Sequence, residues 1–528
     1  MSSPHRGSIY SRVAVTVATT LALGLSAACR QAGAEHVAAV NAGATRTSAP
    51  AKYAADVPKS ILTPDTVQTE RLGTLKFFDG LPDEATVQKA YDNLDFQRGM
   101  ETFLNGIPAA SIYSFLKGLE SVGVVANQGF GITEDAIDAR QLWLTPNTTT
   151  IYVLGSYDLA TGPVVLEAAP SLVAPLDDAY FRFVTDVGFT GPDQGRGGKY
   201  LLVPPGYKGR LPKEGYFIIH SKTYRNWMLG RAFVKDGDKA ATVNKVKATM
   251  RVYPYAQVAN PPATTFVNLS GKKYNTIHAN DFSFYEELND VVQHEPADAF
   301  DPELVGVWAA IGIKKGRPFA PDARMKKILT DAVAVGNATA RVIGFRPRSK
   351  TVYFYTDRQW YSPFAGGSHE FLNNGELVLD DRTFFHYFAT GITPSMAKSE
   401  VGQGSAYAFT AHDASGRYLD GGKTYSVTLP GPVPAKDFWS FVVYDGQTRS
   451  VLETDQVTGG LDSLNPNVKP NADGTYTVWF GPQAPVGQES NWVQTMPGKS
   501  FNTLFRLYGP LQPWFDKTWK PGDFELAK

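Results

Sequence analysis

The chain has 528 residues and equal numbers of basic and acidic side chains, 51 of each. Such a length holds about two to four domains, and a formal charge of zero excludes the basic signature of a nucleic-acid-binding protein. Aromatic residues at 12%, with 49 Gly and 35 Pro, favour a turn-rich β protein over a helical one.

Residues 1–28 read as a signal peptide: His5, Arg6 and Arg12, then an apolar stretch over 13–25, then small residues. Leu25-Ser26-Ala27-Ala28-Cys29 has the form of a bacterial lipobox, with Ser26 where Leu is commonest. Cys29 is the only cysteine, so no internal disulfide can form and no other thiol remains for catalysis. A diacylglycerol thioether needs that sulfur. The expectation is a lipoprotein anchored to a membrane, exported to the periplasm or the outer membrane. The alternative is plain signal cleavage and a soluble periplasmic protein. Residues 29–57, rich in Ala, Thr and Ser, read as a flexible tether. Beyond the leader the sequence shows no apolar run long enough to cross a bilayer.

Residues 58–140 read as an N-terminal helical segment. Val87, Ala90, Tyr91 and Leu94 follow the i, i+3, i+4, i+7 spacing of a helix over 83–103, and Asp83 is placed to cap it. Gly106-Ile107-Pro108 is expected to end it, with a second helix over 111–119. From 141 the texture changes to short β runs between Gly and Pro, at 149–155, 164–168, 180–187, 200–204 and 215–221. They form a first β-sandwich over 141–225. Residues 226–345 read as helical, with pieces at 239–252, 282–292, 303–312 and 322–343. Residues 346–404 are a connector without clear periodicity, and 405–528 form a second sandwich. There FWSFVVY stops at Asp445-Gly446, a run after Asp473-Gly474 stops at Gly481-Pro482, and a third stops at Gly509-Pro510. The fold class expected is multi-domain α+β: two antiparallel β-sandwich, jelly-roll-like domains with helical segments before and between them.

The usual catalytic signatures fail. The sequence has no G-x-S-x-G elbow and no H-E-x-x-H pair. Gly421-Gly422-Lys423-Thr424 imitates the end of a phosphate loop, but a strand follows where a helix is required. Six histidines beyond the tether are scattered with no close pair at ligand spacing, so the sequence requires no metal and no cofactor and leaves open only a metal site assembled from distant positions. Arg182 and Asp186 lie four apart in an expected strand and so share a face. With Asp445 and Asp178 they are the candidate catalytic residues. Asn147, Thr150 and Tyr152 open a strand after Pro146. Trp439, Arg449, Asn491, Trp492, Arg506 and Tyr508 mix flat rings with forked donors. That combination suits a sugar or an aromatic ligand, by stacking and bidentate hydrogen bonds. The competing account of the rings is core packing, with Arg and Asn satisfying turn carbonyls.

In the C-terminal half GRYLDGGKTY, FWSFVVYD, TRS, NADGTY, NWVQTMPGK and RLYGP, with Trp519 beyond, resemble one half of a bacterial family of paired domains of unknown function, number 1214. LTPNTTTIY, GPVVLEAAP, KYLLVPPGYKG and WMLGRAFV resemble the other half, number 1254, and FATGITPSM fits the branch carrying both. The resemblance covers nearly the whole chain after Leu72. It implies export or envelope association and two β-sandwich domains with helical segments around them, and it carries no established reaction.

Two functional readings follow. The first is a cell-envelope lipoprotein that binds a small molecule or glycan in a cleft between its two sandwiches. The second is an exported hydrolase or lyase working through carboxylates with Arg or His, with or without a metal. The partners expected are a membrane, through the lipid anchor, and that ligand. The β edges also admit a homo-oligomer.

Overall fold

The structure, a computed structural model, describes residues 55–234 and 237–527. The signal peptide, Cys29 and the tether through residue 54 lie outside the described residues. The chain divides into two units, Met1–Asp83 and Glu84–Lys528. In the first, Thr66–Thr69, Gly73–Phe78 and Leu81–Pro82 form a small antiparallel sheet. A helical segment was expected there. Gly73 and the Asp79-Gly80 pair, all at positive φ, instead turn the chain into hairpins.

The second unit opens with α1 (Glu84–Ser121), which runs through Pro108 without ending. This overturns the expected break into two helices. A proline inside a helix forfeits a hydrogen bond and costs about 3 kcal/mol. Here the middle of α1 is the centre of a helical core, with Phe103, Ile107 and Ala110 fully buried, and that packing outweighs the lost bond. Around it stand α3 (Ser283–His294), α4 (Pro302–Ala310), α5 (Ala323–Phe345) and α6 (Leu379–Phe388); α2 (Lys239–Thr249) lies with the first β domain. Gly99 lets α1 and α5 approach: a Cβ there would sit 2.8 Å from Ala332 Cβ and 2.8 Å from Leu329 Cδ2. By length and composition α5 is apolar enough to cross a membrane, contrary to expectation. Leu329, Ala332, Val333 and Ala340 on it are buried in the unit, with Leu329, Val333 and Ala340 in the same helical core as Phe103.

Among the described residues, ten strands make up the two main sheets of the first β domain. They are β1 (Gly129–Ile132), β2 (Ile151–Asp158), β3 (Val164–Ala168), β4 (Leu172–Asp178), β5 (Phe183–Gly188), β6 (Gly198–Val203), β7 (Phe217–His220), β8 (Arg225–Ala232), β9 (Arg251–Pro254) and β10 (Thr265–Asn268). One sheet has the order β10-β1-β2-β8-β4-β5, the other β7-β6-β3-β9. Most pairs are antiparallel; β10 with β1 and β6 with β7 are parallel. Val153, Leu176 and Met228 of the first sheet share an apolar layer with Leu166, Leu202 and Val252 of the second. The domain therefore extends beyond 141–225 at both ends. Strand β8, placed in a helical region by the sequence reading, sits in the middle of the larger sheet. Its run Trp227-Met228-Leu229-Gly230 is apolar on both faces, and periodicity does not separate such a strand from a buried helix.

The C-terminal domain has β11 (Ser405–Thr410), β12 (Tyr425–Leu429), β13 (Ala435–Asp445), β14 (Gly460–Asp462), β15 (Tyr476–Gly481), β16 (Trp492–Gln494), β17 (Phe501–Pro510) and β18 (Glu525–Leu526). They form the sheets β11-β17-β13-β14 and β16-β15-β12-β18. Phe441, Phe505 and Leu507 of the first pack with Val427, Val478 and Phe480 of the second. Side chains alternate along a strand. Each domain therefore turns a second face away from its own apolar layer. Leu229 and Arg231 lie on that face of β8, Leu504 and Arg506 on that face of β17. The multi-domain α+β architecture stands as expected.

Candidate functional site between two sheet faces

Those outward faces border one cavity of about 500 Å³. Tyr152, Pro175, Leu229 and Arg231 line it from the first β domain, and Tyr407, Phe409, Leu504 and Arg506 from the second. Helix α6 adds Phe384, Phe385 and Phe388, and the connector adds Tyr353, Phe354 and Phe364. Strands β8 and β17 use the same device: a leucine and an arginine two residues apart point to the same side.

The polar groups converge on the two guanidiniums. Arg506 is 3% exposed; its Nη2 donates to Thr145 O at 2.8 Å, and its Nη1 has no partner in the protein. The Nε of Arg231 is also unpartnered, and neither arginine forms a salt bridge among the described residues. The Arg506 guanidinium lies 5.8 Å from the Tyr407 ring and 5.9 Å from that of Tyr444. Burial pushes Tyr152 up to about 12, against the pull of the Arg231 and Arg506 charges. Burial also opposes ionisation of Tyr407. There the two guanidiniums win and hold the phenol below its ordinary value.

Behind this cluster, the loop at Thr145 ties the two β domains together. Thr145 takes the left-handed conformation, φ 42°, and so does Arg449, φ 65°. Both are uncommon for residues with a Cβ and are kept only where the surroundings over-determine them. The Thr145 N–H donates to Arg449 O at 3.1 Å, the Thr145 hydroxyl to Phe388 O at 2.6 Å, and the Tyr444 hydroxyl to Pro146 O at 2.6 Å. Asn147 Oδ1 accepts from the Thr149 and Thr150 N–H groups and from the Thr150 hydroxyl, which fixes the turn into β2.

Of the ligand-binding residues expected from sequence, Asn147, Tyr152 and Arg506 line the cavity. Thr150 serves the Asn147 turn. Arg449 is fully buried behind the cavity wall, its guanidinium 3.6 Å over the Tyr387 ring and its Nη1 donating to Tyr387 O at 2.8 Å. Burial drops it to about 10. Tyr508 stacks on Phe438 at 3.8 Å and feels both cavity arginines. The other three are structural. Trp439 packs in the inner layer, Asn491 donates to Lys469 O and Thr477 O, and the Trp492 indole donates to Gly481 O.

The candidate catalytic set does not assemble. Arg182 pairs with Asp178 at 2.6 Å and donates to Ala299 O, not to Asp186. Residue 182 precedes β5 in a tight turn, so strand alternation does not apply to it. Asp186 Oδ2 instead accepts from the Thr393 hydroxyl at 2.8 Å, while Asp177 Oδ2 accepts from Ile392 N–H at 3.0 Å. Burial raises both carboxyls above the ordinary range. Asp445 bridges to Lys499 at 2.8 Å and accepts from the Gln447 and Thr448 N–H groups, so it holds a turn. Sequence reasoning missed Arg231 and Tyr407. The available signal was one arginine in the otherwise apolar run WMLGRA.

Comparison with known proteins agrees with this layout. Residues 128–254 match the family described as Protein of unknown function (DUF1254), and residues 404–512 that described as Protein of unknown function (DUF1214). No curated protein matches the sequence. Among solved structures, the VPA0106 protein of Vibrio parahaemolyticus is 15% identical over 82% of this chain and 100% of its own, with a TM-score of 0.50. An uncharacterised protein from Burkholderia cenocepacia is 12% identical over 83% of this chain and 96% of its own, with a TM-score of 0.37. The first shares the fold. With the DUF1254 match preceding the DUF1214 match, the chain carries the paired arrangement of these two domains of unknown function.

Proposed function

We propose that this chain is a cell-envelope lipoprotein whose two β-sandwich domains hold a small organic ligand in the cavity between their outward faces. The observation that carries the reading is the cavity itself. Its volume falls in the range of about 300–1,000 Å³ typical of ligand pockets, and its lining is mostly apolar with a few convergent polar groups. A hydrolase working through Asp186, Asp178 or Asp445 would need a carboxylate on that lining, and none of the lining residues is acidic.

Ala397 is half-buried and lines the cavity, so Ala397→Trp directs a ring into it. A panel of small aromatic and aliphatic molecules should raise the unfolding midpoint of the native chain by mass action. Ala397→Trp should remove that rise. A rise that survives the substitution would place the ligand elsewhere and sink the cavity reading. The anchor is tested separately: Cys29→Ser should move the protein from the membrane pellet to the soluble fraction, because one thioether-linked diacylglycerol supplies the hydrophobic attachment. A variant that still pellets with membranes would contradict it.

A further inference from the structure

The sign of the cavity's charge says more than its volume. The chain as a whole is balanced, 51 basic against 51 acidic residues. The charged residues lining the cavity are Arg231, Lys398, Arg506 and Lys517, all cationic. Two of them are set deep. Arg506 is 3% exposed and Arg231 is half-buried, and each keeps a guanidinium nitrogen without a partner in the protein. Burying a charge is costly unless an opposite charge or good hydrogen bonds compensate it. The compensation present is neutral: Arg506 has the rings of Tyr407 and Tyr444 below 6 Å, the Tyr444 hydroxyl and one backbone carbonyl, Thr145 O, and Arg231 has the Tyr407 hydroxyl. Asp186 feels Arg231 but forms no salt bridge with it.

Resting on the cavity reading above, we propose that the ligand is an organic anion. Its oxyanion head, carboxylate or phosphate, sits on Arg231 and Arg506 beside Tyr407, and its apolar body lies against Phe384, Phe388 and Phe409. A guanidinium fork matches the planar oxygens of a carboxylate or phosphate and binds them through two parallel, charge-assisted hydrogen bonds. The free Nη1 of Arg506 and the free Nε of Arg231 are the donors such a head requires. Tyr407 reports the same demand. The two guanidiniums hold the half-buried Tyr407 phenol below its ordinary range, the direction expected where negative charge is favoured. For the body, Phe384, Phe388 and Phe409 pack on one another with ring centroids 5.2–5.6 Å apart, a rigid aromatic wall for an apolar group. Exposed Lys398 and Lys517 on the same lining extend the positive field outward, which favours the approach of an anion.

Matched probes on the full native chain test this. Isothermal titration would compare 2-naphthoate and 2-naphthyl phosphate with neutral 2-naphthamide. One or both acids should bind about tenfold or more tighter than the amide, and the tighter of the two names the head. Arg231→Gln should erase the acid's advantage and leave the amide's affinity in place. The acid-to-amide comparison uses the unsubstituted protein, so it stands even where a variant folds poorly. Equal affinity of acids and amide would overturn the anion and leave the cavity reading intact. Binding of no probe, with no ligand-induced rise in the Ala397 experiment, would overturn both.

Discussion

Replacing Trp227 with alanine is expected to lower the unfolding free energy by about 3–5 kcal/mol. The indole is 1% exposed and sits 5.0 Å, centroid to centroid, from Phe115 of α1. Its Nε1 donates to Thr390 O at 2.7 Å. Truncation opens a void between the central strand of the larger sheet and the longest helix. It also leaves a carbonyl unpaired on a segment that lines the cavity. Trp227→Phe keeps most of the packing and loses only the N–H, so its cost should be nearer 1–2 kcal/mol. Urea unfolding of both variants checks the order. An alanine variant within about 1 kcal/mol of the parent would contradict the placement of β8 between α1 and the apolar layer.

The second large effect is acid sensitivity through His278. Its ring is 2% exposed, its Nδ1 lies 2.9 Å from Ala279 O and so carries the proton, and its Nε2 has no partner. Burial, then the Arg449 charge, pushes it down from 6.5 to about 3. Between those values the unfolded chain binds a proton that the folded chain refuses. Its contribution is complete above pH 6.5 and is lost as pH falls toward 3. At about 1.4 kcal/mol per unit per proton, His278 costs the fold ~3 kcal/mol at pH 4 relative to pH 7. Glu287, which accepts from the Ala279 N–H, has the opposite sign: burial pushes it up to about 7, so its contribution is complete below 4.5 and lost as pH rises through 7. His278→Phe keeps an aromatic ring beside Phe103 and Tyr387 and removes the titrating group. Denaturation curves from pH 6.5 to 4 should show a slope about 1.4 kcal/mol per unit shallower in the variant. Parallel curves would contradict a neutral buried His278.

The legible parts of the fold are those whose signals are local. Asp445-Gly446, Gly481-Pro482 and Gly509-Pro510 sit at the ends of β13, β15 and β17, because Gly and Pro act on their own neighbourhood whatever lies across the core. What stayed hidden depends on distant partners. Pro108 looks like a stop until α3, α5 and α6 are packed around it. Helix α6 starts on a charged turn and then buries Phe384, Phe385, His386, Tyr387 and Phe388 in succession, so this half shows no stripe to read. The site divides the same way. Asn147, Tyr152 and Arg506 stood out as polar groups among rings. Arg231 did not, because a single arginine in an apolar run gains meaning only when β17 arrives opposite. Arg182 and Asp186 shared a face by strand arithmetic, yet a turn at Phe181, φ 60°, delivers Arg182 to Asp178.

The bond from Arg506 to Thr145 spans 361 residues of chain. A ribosome adding about 5–20 residues per second delivers the arginine roughly 20–70 s after the threonine. Throughout that wait the sheet face bearing Tyr152, Leu229 and Arg231 lacks the β17 side chains that oppose it, and the Thr145 carbonyl lacks its arginine. A premature stop before residue 506 cuts β17 out of its sheet and also removes the partner of an element made hundreds of codons earlier, so its effect reaches from the C-terminal domain to residue 145.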